Sequence, residues 1–338
     1  MNFHPITEPT LPQSVTVIYH AACADGFGAA FATWKHFGAT ARYCQMHHGE
    51  DWETLELAGN EVFILDFSFS REALEAMAAI AHSVTQIDHH ASARAQWASL
   101  LSQQENGLEQ FTHPTLPLSI IFDLNKSGAR LAWEYFYPEQ PLPLLLAHIE
   151  DSDLWRFSLD GTRAFGRALR LLPYDFSLWD QLADDTQTTS EPRYQAMLLE
   201  GAAIERFFER EVTRLADSRL VMPATLRGEP LDDLQSIRHG QPLISAKNLN
   251  WHAISGLAIN ADSLFASELG NLLAERSHSF GLIWQLAGDG EIKVSLRAAG
   301  KVSVAEIASR YGGGGHPNAA GFRLPAVDFF SEVLGLSL

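Results

Sequence analysis

The sequence predicts an α/β protein: a parallel-sheet N-terminal domain, a linking helix, and a smaller mixed α/β C-terminal domain. Three observations carry that prediction. Short β-branched runs alternate with helical patterns through the first half. A polar stretch and a long amphipathic pattern then interrupt the chain, and the remainder is rich in strand signals. Strands separated by helical segments argue for a parallel sheet with helices on its faces.

Taken in order, Val15 to Tyr19 (VTVIY) reads as a buried strand, followed by a loop and the helical AAFATWKHF. Val62 to Leu65 (VFIL) is a second strand; Ser70 then caps the helix REALEAMAAIA, and Val84 to Ile87 (VTQI) is a third strand. Ser127 caps GARLAWEYF, and LPLLLAHIEDSD forms another helix after Pro141. Asp184 to Pro192 is polar and marks a boundary. Beyond it Tyr194, Met197, Leu198, Gly201, Ile204, Phe208, Val212 and Leu215 fall on one helical face, suited to bridging two domains. HAISGLAI, FGLIWQLA and EIKVSLRA read as strands, the last two joined by a Gly288-Asp289-Gly290 hairpin turn. The helix VAEIASRY runs into Gly312 to Gly315. The domain boundaries expected from this pass are residues 1–185, a linker and connecting helix at 186–222, and 223–338.

The 338 residues suffice for two cores, and 46% apolar with 19% charged residues is the composition of a globular protein. No stretch approaches the roughly 18 apolar residues of a membrane span. The N-terminus lacks the basic and apolar regions of a secretory signal. Cys23 and Cys44 are the only cysteines, which implies no disulfide framework and a reducing cytoplasm. A net charge of −17 weighs against binding long duplex nucleic acid, which rests on many cationic contacts to phosphate. A small anionic substrate fits if bound cations offset the acid locally.

Acid- and histidine-bearing segments follow each of the three N-terminal predicted strands: His20 to Gly26, Asp66-Phe67-Ser68, and Asp88-His89-His90. In parallel sheets the carboxyl ends of strands line one crevice, so three separate loops deliver polar groups to one place. Glu150-Asp151-Ser152-Asp153, ending a helical run, is a fourth candidate. Singly, each has a plainer reading as a cap, a turn former or a hydrogen-bonded structural histidine. Together they point to divalent cations, since crowded carboxylates stay ionised only with compensating charge. Oxygen ligands with neutral imidazoles suit Mn²⁺, Mg²⁺ or Fe²⁺. Asp66, alone at the tip of the central segment, is the choice to bridge two such ions. His47 to Asp51 is ligand-like in composition but follows no strand closely, and reads as a solvated loop.

These motifs resemble the DHH superfamily of phosphoesterases. Asp88-His89-His90 is the signature triplet; Asp66 to Ser70 resembles the second motif and Glu150 to Trp155 the fourth. Gly312-Gly313-Gly314-Gly315-His316-Pro317-Asn318-Ala319-Ala320-Gly321-Phe322 resembles the glycine-rich motif of the DHH-associated substrate domain. The resemblance implies two divalent cations, Mn²⁺ first, with Fe²⁺, Zn²⁺ or Mg²⁺ as alternatives. His20 and Asp66 would hold one; Asp25, Asp66, His89 and Asp151 the other, with Asp151 preferred over Asp153. Asp88 would orient His89, and His90 would touch the substrate phosphate. Arg297, His316, Asn318 and the backbone of Gly313, Gly314 and Gly315 would bind substrate across an interdomain cleft. Where the commonest first motif has an aspartate this chain has Cys23, either a soft ligand or a packing residue.

The implied activity is hydrolysis of phosphoester bonds in short oligonucleotides by a metal-activated water, in the manner of nanoRNases and RecJ-type exonucleases. A phosphatase or phosphodiesterase for a signalling nucleotide, such as adenosine bisphosphate or a cyclic dinucleotide, is the alternative within the enzyme class. A noncatalytic nucleotide-binding module is the alternative outside it. No membrane partner is implied, and the apolar stripes leave room for a homodimer.

Overall fold

The computed structural model describes residues 14–47, 49–231, 243–246, 249–300 and 302–336. The chain divides into two compact units, Met1–Glu205 and Arg206–Leu338. The division falls inside the long helix Pro192–Ala216, which the amphipathic pattern had placed as the connector.

The strands of the first unit are β1 (Val15–His20), β2 (Ala41–Met46), β3 (Glu61–Leu65), β4 (Ser83–Asp88), β5 (Ser102–Gln103), β6 (Glu109–Thr112) and β7 (Leu118–Phe122). They form one seven-stranded sheet of order β2-β1-β3-β4-β7-β6-β5. The first five in spatial order run parallel, and β6 and β5 add an antiparallel edge. The central strands β1, β3, β4 and β7 are largely buried on both faces, and so are mostly apolar on both sides. On β3, Phe63 and Leu65 enter one core with Phe27, Phe31, Trp133 and Trp179; Val62 and Ile64 enter the other with Leu74, Met77 and Trp97. Helices α1 (Ala24–Phe37), α2 (Arg71–Ile80), α4 (Gly128–Phe136) and α5 (Leu144–Asp153) cover these faces, with the short α3 (Ala91–Ala95) following β4. Ser70 and Ser127 cap α2 and α4 through backbone N–H groups of Ala73 and Arg130, as their sequence positions suggested.

The order matters for function. From β1 the chain passes through α1 to β2 on one side, then crosses to β3 on the other. The direction of winding therefore reverses between β1 and β3, and a crevice opens outside their carboxyl ends. His20 closes β1 and Asp66 follows β3, so both stand at that switch point.

The strands of the second unit are β8 (Met222–Leu231), β9 (Leu243–Ala246), β10 (Leu249–Asn260), β11 (Phe280–Leu286), β12 (Glu291–Ala298), β13 (Gly314–His316) and β14 (Ala319–Pro325). They make a mixed sheet of order β13-β14-β12-β11-β10-β8, with β9 paired to β10. β10 and β11 pair in parallel around the helix Ala266–Ser277, and the remaining pairs are antiparallel. The predicted hairpin between β11 and β12 is present, with Gly290 at φ 84° and Ala287 N–H donating to Glu291 O at 2.8 Å. Among the described residues no helix is long and apolar enough to cross a membrane, and both cysteines are free.

Candidate metal centre

The first turn of α1 begins earlier than its sequence pattern indicated. Cys23 is the N-cap residue and Asp25 lies inside the helix. Gly26 is needed there because a Cβ would lie 2.4 Å from the His20 carbonyl oxygen. Asp25 is buried, and both its carboxylate oxygens accept hydrogen bonds from the start of α4: Gly128 N–H to Oδ2 at 2.6 Å and Ala129 N–H to Oδ1 at 2.9 Å. These are amide donors that a helix leaves unpaired, and the end of the macrodipole they sit on favours an anion. One carboxylate thus fastens α4 to α1 while still carrying unused lone pairs.

Asp66 occupies the left-handed backbone region at φ 50°, an uncommon setting for a residue other than glycine. Its N–H donates to the Ile87 carbonyl at 3.1 Å, and its side chain is buried. Gly128 packs directly on it: a Cβ at Gly128 would come within 2.5 Å of Asp66 Cβ. Asp66 Oδ1 lies 3.0 Å from His89 Nε2 and Oδ2 lies 3.6 Å from His20 Nδ1. Burial alone would raise this carboxyl, but His20, His89 and His90 outweigh it and hold Asp66 far below the usual range.

Two donor groups flank Asp66. On one side His20, Cys23 and Asp66 offer ligand atoms within 4.8 Å of one another. On the other, Asp25, His89 and Asp153 do the same. His89 Nε2 stands 3.5 Å from Asp25 Oδ2 and 3.7 Å from Asp153 Oδ2. Burial and the nearby Asp66 and Asp153 charges push Asp25 well above the normal carboxylate range. Burial together with Asp66 also raises Asp153, against the pull of His89. Burial, then Asp66, Asp153 and Asp25, raise the Cys23 thiol. Groups so crowded repel one another when ionised, and a bound divalent cation reverses that balance. The donor set, carboxylates and imidazoles with one thiol, fits such ions.

Two expectations are corrected. Asp151 does not join the cluster. Its oxygens are taken by the turn that follows α5: Ser158 N–H at 2.8 Å and Ser158 Oγ at 2.7 Å on Oδ1, Leu159 N–H at 3.0 Å and Thr162 Oγ1 at 2.6 Å on Oδ2. Those bonds hold it below the usual range despite burial. Asp153, two residues on and with 27% of its side chain exposed, takes the place beside His89. Asp88 does not orient the His89 ring either. Its Oδ1 accepts from the His89 N–H at 2.8 Å and lies 2.7 Å from His90 Nδ1, while Oδ2 accepts from Ser68 Oγ. The ring it fixes is therefore His90. Burial opposes protonation there, but Asp88, and then Asp66, raise His90 to about 9.

The glycine-rich segment is also different from an open anion-binding loop. Gly314, Gly315 and His316 form β13 against β14, and the N–H of Gly313 donates to Ala308 O at 2.9 Å. A Cβ at Gly313 would lie 2.0 Å from the Gly321 carbonyl oxygen. Close strand packing is thus what Gly313 serves. His316 is partly buried and Asn318 exposed in the turn joining the two strands. Arg297 on β12 is largely enclosed, donating to Ser267 Oγ and Leu296 O at 2.8 Å each. Of the histidine-rich segment near residue 50, His48 lies outside the described residues, while Glu50 accepts from the His47 N–H at 2.8 Å in an exposed turn.

Gly128 and Ser68 were missed in the sequence. Ser127-Gly128 was legible as a helix start, but nothing in it marks Gly128 as the surface on which Asp66 rests.

Residues 257–336 match the family model of the DHHA1 domain. That match bears out the DHH-associated domain expected in the second unit. The chain is similar to an uncharacterized protein of Acanthamoeba polyphaga mimivirus, 26% identical over 333 residues, which are 93% of this chain and 68% of that protein. Among solved structures it is similar to the pGpG-specific phosphodiesterase PggH from Vibrio cholerae, at TM-score 0.44 and 12% identity over 94% of this chain and 95% of that one. It is also similar to Mn²⁺-bound RecJ from Thermus thermophilus, at TM-score 0.44 and 17% identity over 94% of this chain and 50% of that one.

Proposed function

We propose that the protein is a phosphoesterase that hydrolyses short oligonucleotides with two divalent cations, Mn²⁺ first among them. The observation that carries this reading is Asp66, buried and locked at φ 50° between two separate donor groups. His20, Cys23 and Asp66 would hold one ion, and Asp25, Asp66, His89 and Asp153 the other. When bound, such ions supply Lewis acidity and neutralise charge on a phosphoryl group.

The protein's own residues then have distinct tasks. Asp25 ties the start of α4 to the cluster and so fixes the surface under Asp66. Ser68 and Asp88 hold the His90 ring, which would donate to a phosphate oxygen as charge develops on it. Arg297 and His316 of the DHHA1 domain are proposed to bind the substrate, with the guanidinium fork suited to a terminal phosphate. The acidic surface, net −17, disfavours long duplexes and fits a compact substrate in a cytoplasmic setting.

The test is hydrolysis by the purified protein with Mn²⁺ of di- to pentaribonucleotides, adenosine bisphosphate and cyclic dinucleotides. Preference for the oligonucleotides is expected. Selective hydrolysis of one signalling nucleotide would replace the substrate class, and nucleotide binding with no turnover of any of them would sink the enzyme reading. Activity surviving Asp66→Ala would remove the bridging role.

A further inference from the structure

Immediately after the ligand cluster the chain does something costly. Trp155 and Phe157, both bulky aromatics, sit at φ 55° and 48°, where side chains of their kind are genuine outliers. Strain of this sort persists only where the surroundings enforce it. Here they do. The Asp151 carbonyl accepts from the N–H groups of Arg156 at 2.9 Å and Phe157 at 3.2 Å, and its carboxylate binds Ser158 and Leu159. The whole turn is wound around Asp151.

The result is an aromatic platform. The Trp155 and Phe157 rings meet edge to face, with centroids 4.8 Å apart and planes at 78°. The Arg163 guanidinium lies 3.7 Å from the Phe157 centroid and 5.4 Å from that of Trp155, and is steadied by Glu205 at 3.9 Å. Yet Trp155 remains 40% exposed. A tryptophan held in a strained backbone and braced by a cation, but left open to solvent, is not filling a core. Packing alone would favour turning it inward, where full burial gains most.

We propose that Trp155, backed by Phe157 and Arg163, is a stacking platform for a nucleobase of the substrate. The proposal rests on the phosphoesterase reading for the position of the phosphate. Trp155 follows Asp153 by two residues, so their Cα atoms lie at most about 7 Å apart. With a phosphate at the cluster, its own or the adjoining base is proposed to rest on the exposed indole. Stacking is tolerant of base identity because every base has a π face, and the Arg163 charge increases the pull on it. The platform selects for nucleotides over simple phosphoesters without choosing a sequence.

The experiment measures equilibrium binding, so that turnover is not needed. The probes are diadenylate with a nonhydrolysable phosphonate linkage and the same compound with one adenine removed. The ratio of their affinities reports what the base contributes. In Trp155→Ala that ratio is expected to fall by about 5- to 100-fold, while Trp155→Phe retains most of it, and thermal unfolding of each variant checks the fold. A ratio in Trp155→Ala equal to that of the unaltered protein overturns the platform, as does an unaltered protein that binds both probes equally. Base-dependent binding that needs Trp155, in a protein that hydrolyses no nucleotide, would keep the platform and discard the phosphoesterase reading.

Discussion

Gly128→Ala places one methyl group where the centre has no room for it. The added Cβ would meet Asp66 Cβ at 2.5 Å and its Cγ and Oδ1 at 2.9 Å. Carbon atoms rest at about 3.5–4.0 Å, so roughly 1 Å must be found. Asp66 cannot swing freely, because its backbone is pinned at φ 50° by the bond to Ile87 and its carboxylate faces His89 at 3.0 Å. Gly128 cannot retreat without breaking its N–H bond to Asp25. Either adjustment disturbs a proposed ligand. A misplacement of about 1 Å in a reacting centre costs on the order of 100-fold in rate, and overpacking a buried site costs about 1–3 kcal/mol. Hydrolysis of a dinucleotide under saturating Mn²⁺ should therefore drop by about two orders of magnitude, with a modest loss of stability in denaturant unfolding. Gly166→Ala in the helix Thr162–Leu169 is the control, since a Cβ there meets nothing within 4 Å. It should gain up to about 1 kcal/mol from helix propensity and leave activity intact. Wild-type turnover in Gly128→Ala would refute the claim that Asp66 is held by that contact.

Asp151 and Asp153 should separate cleanly. Asp153→Asn is expected to lose Mn²⁺ affinity and most activity while keeping its melting temperature, since it removes one of several crowded charges. Asp151→Asn should instead destabilise by about 2 kcal/mol, as it weakens charge-assisted bonds to Ser158, Leu159 and Thr162; isothermal titration and thermal unfolding of both variants check this. The buried His148 bonds to Thr162 Oγ1 at 2.9 Å and Tyr194 Oη at 3.0 Å, and burial lowers it to about 4. The unfolded chain takes up that proton near pH 6.5 and the folded one only near 4, so stability falls as pH drops through this window, by about 3 kcal/mol in all. Denaturant unfolding of His148→Gln should show a flatter slope than wild type between those pH values, and equal slopes would contradict the assignment. Cys23→Ser should shift metal preference away from Zn²⁺ towards Mn²⁺, read by metal analysis after competitive loading.

The fold was legible where one physical signal dominated. Strands β1, β3 and β4 are short apolar runs buried on both faces, and they were found within a residue of their ends. β12 and α4 were found with the observed limits. β2, by contrast, alternates partly buried and exposed positions through Ala41–Met46 at the sheet edge, so its sequence carries little of that signal. β7, Leu118–Phe122, is apolar enough, but it follows a polar segment that contains the antiparallel hairpin of β5 and β6. The glycine run was read as an anion cradle because consecutive glycines suit both that role and close strand packing. The carbonyl of Gly321, eight residues on and brought back against Gly313 by the β13–β14 hairpin, decides for packing there.

The site itself was legible as a set of segments but not as a set of atoms. Asp151 and Asp153 differ by two positions on α5, and two helical steps of about 100° turn their side chains to nearly opposite faces. Only one can address the crevice, and which one depends on how α5 is rotated against the sheet. That rotation is set by Leu145, Leu146 and Ile149 entering the core with Phe31, Trp133 and Phe165, contacts between segments far apart in the chain. The residue turned away is not idle. Asp151 gathers the amides of Arg156, Phe157, Ser158 and Leu159 into one turn and so holds Trp155 and Phe157 in a backbone they would not adopt alone. The two acids of one short motif would thus divide the work: Asp153 would face the proposed cations, and Asp151 shapes the turn on which a base would rest.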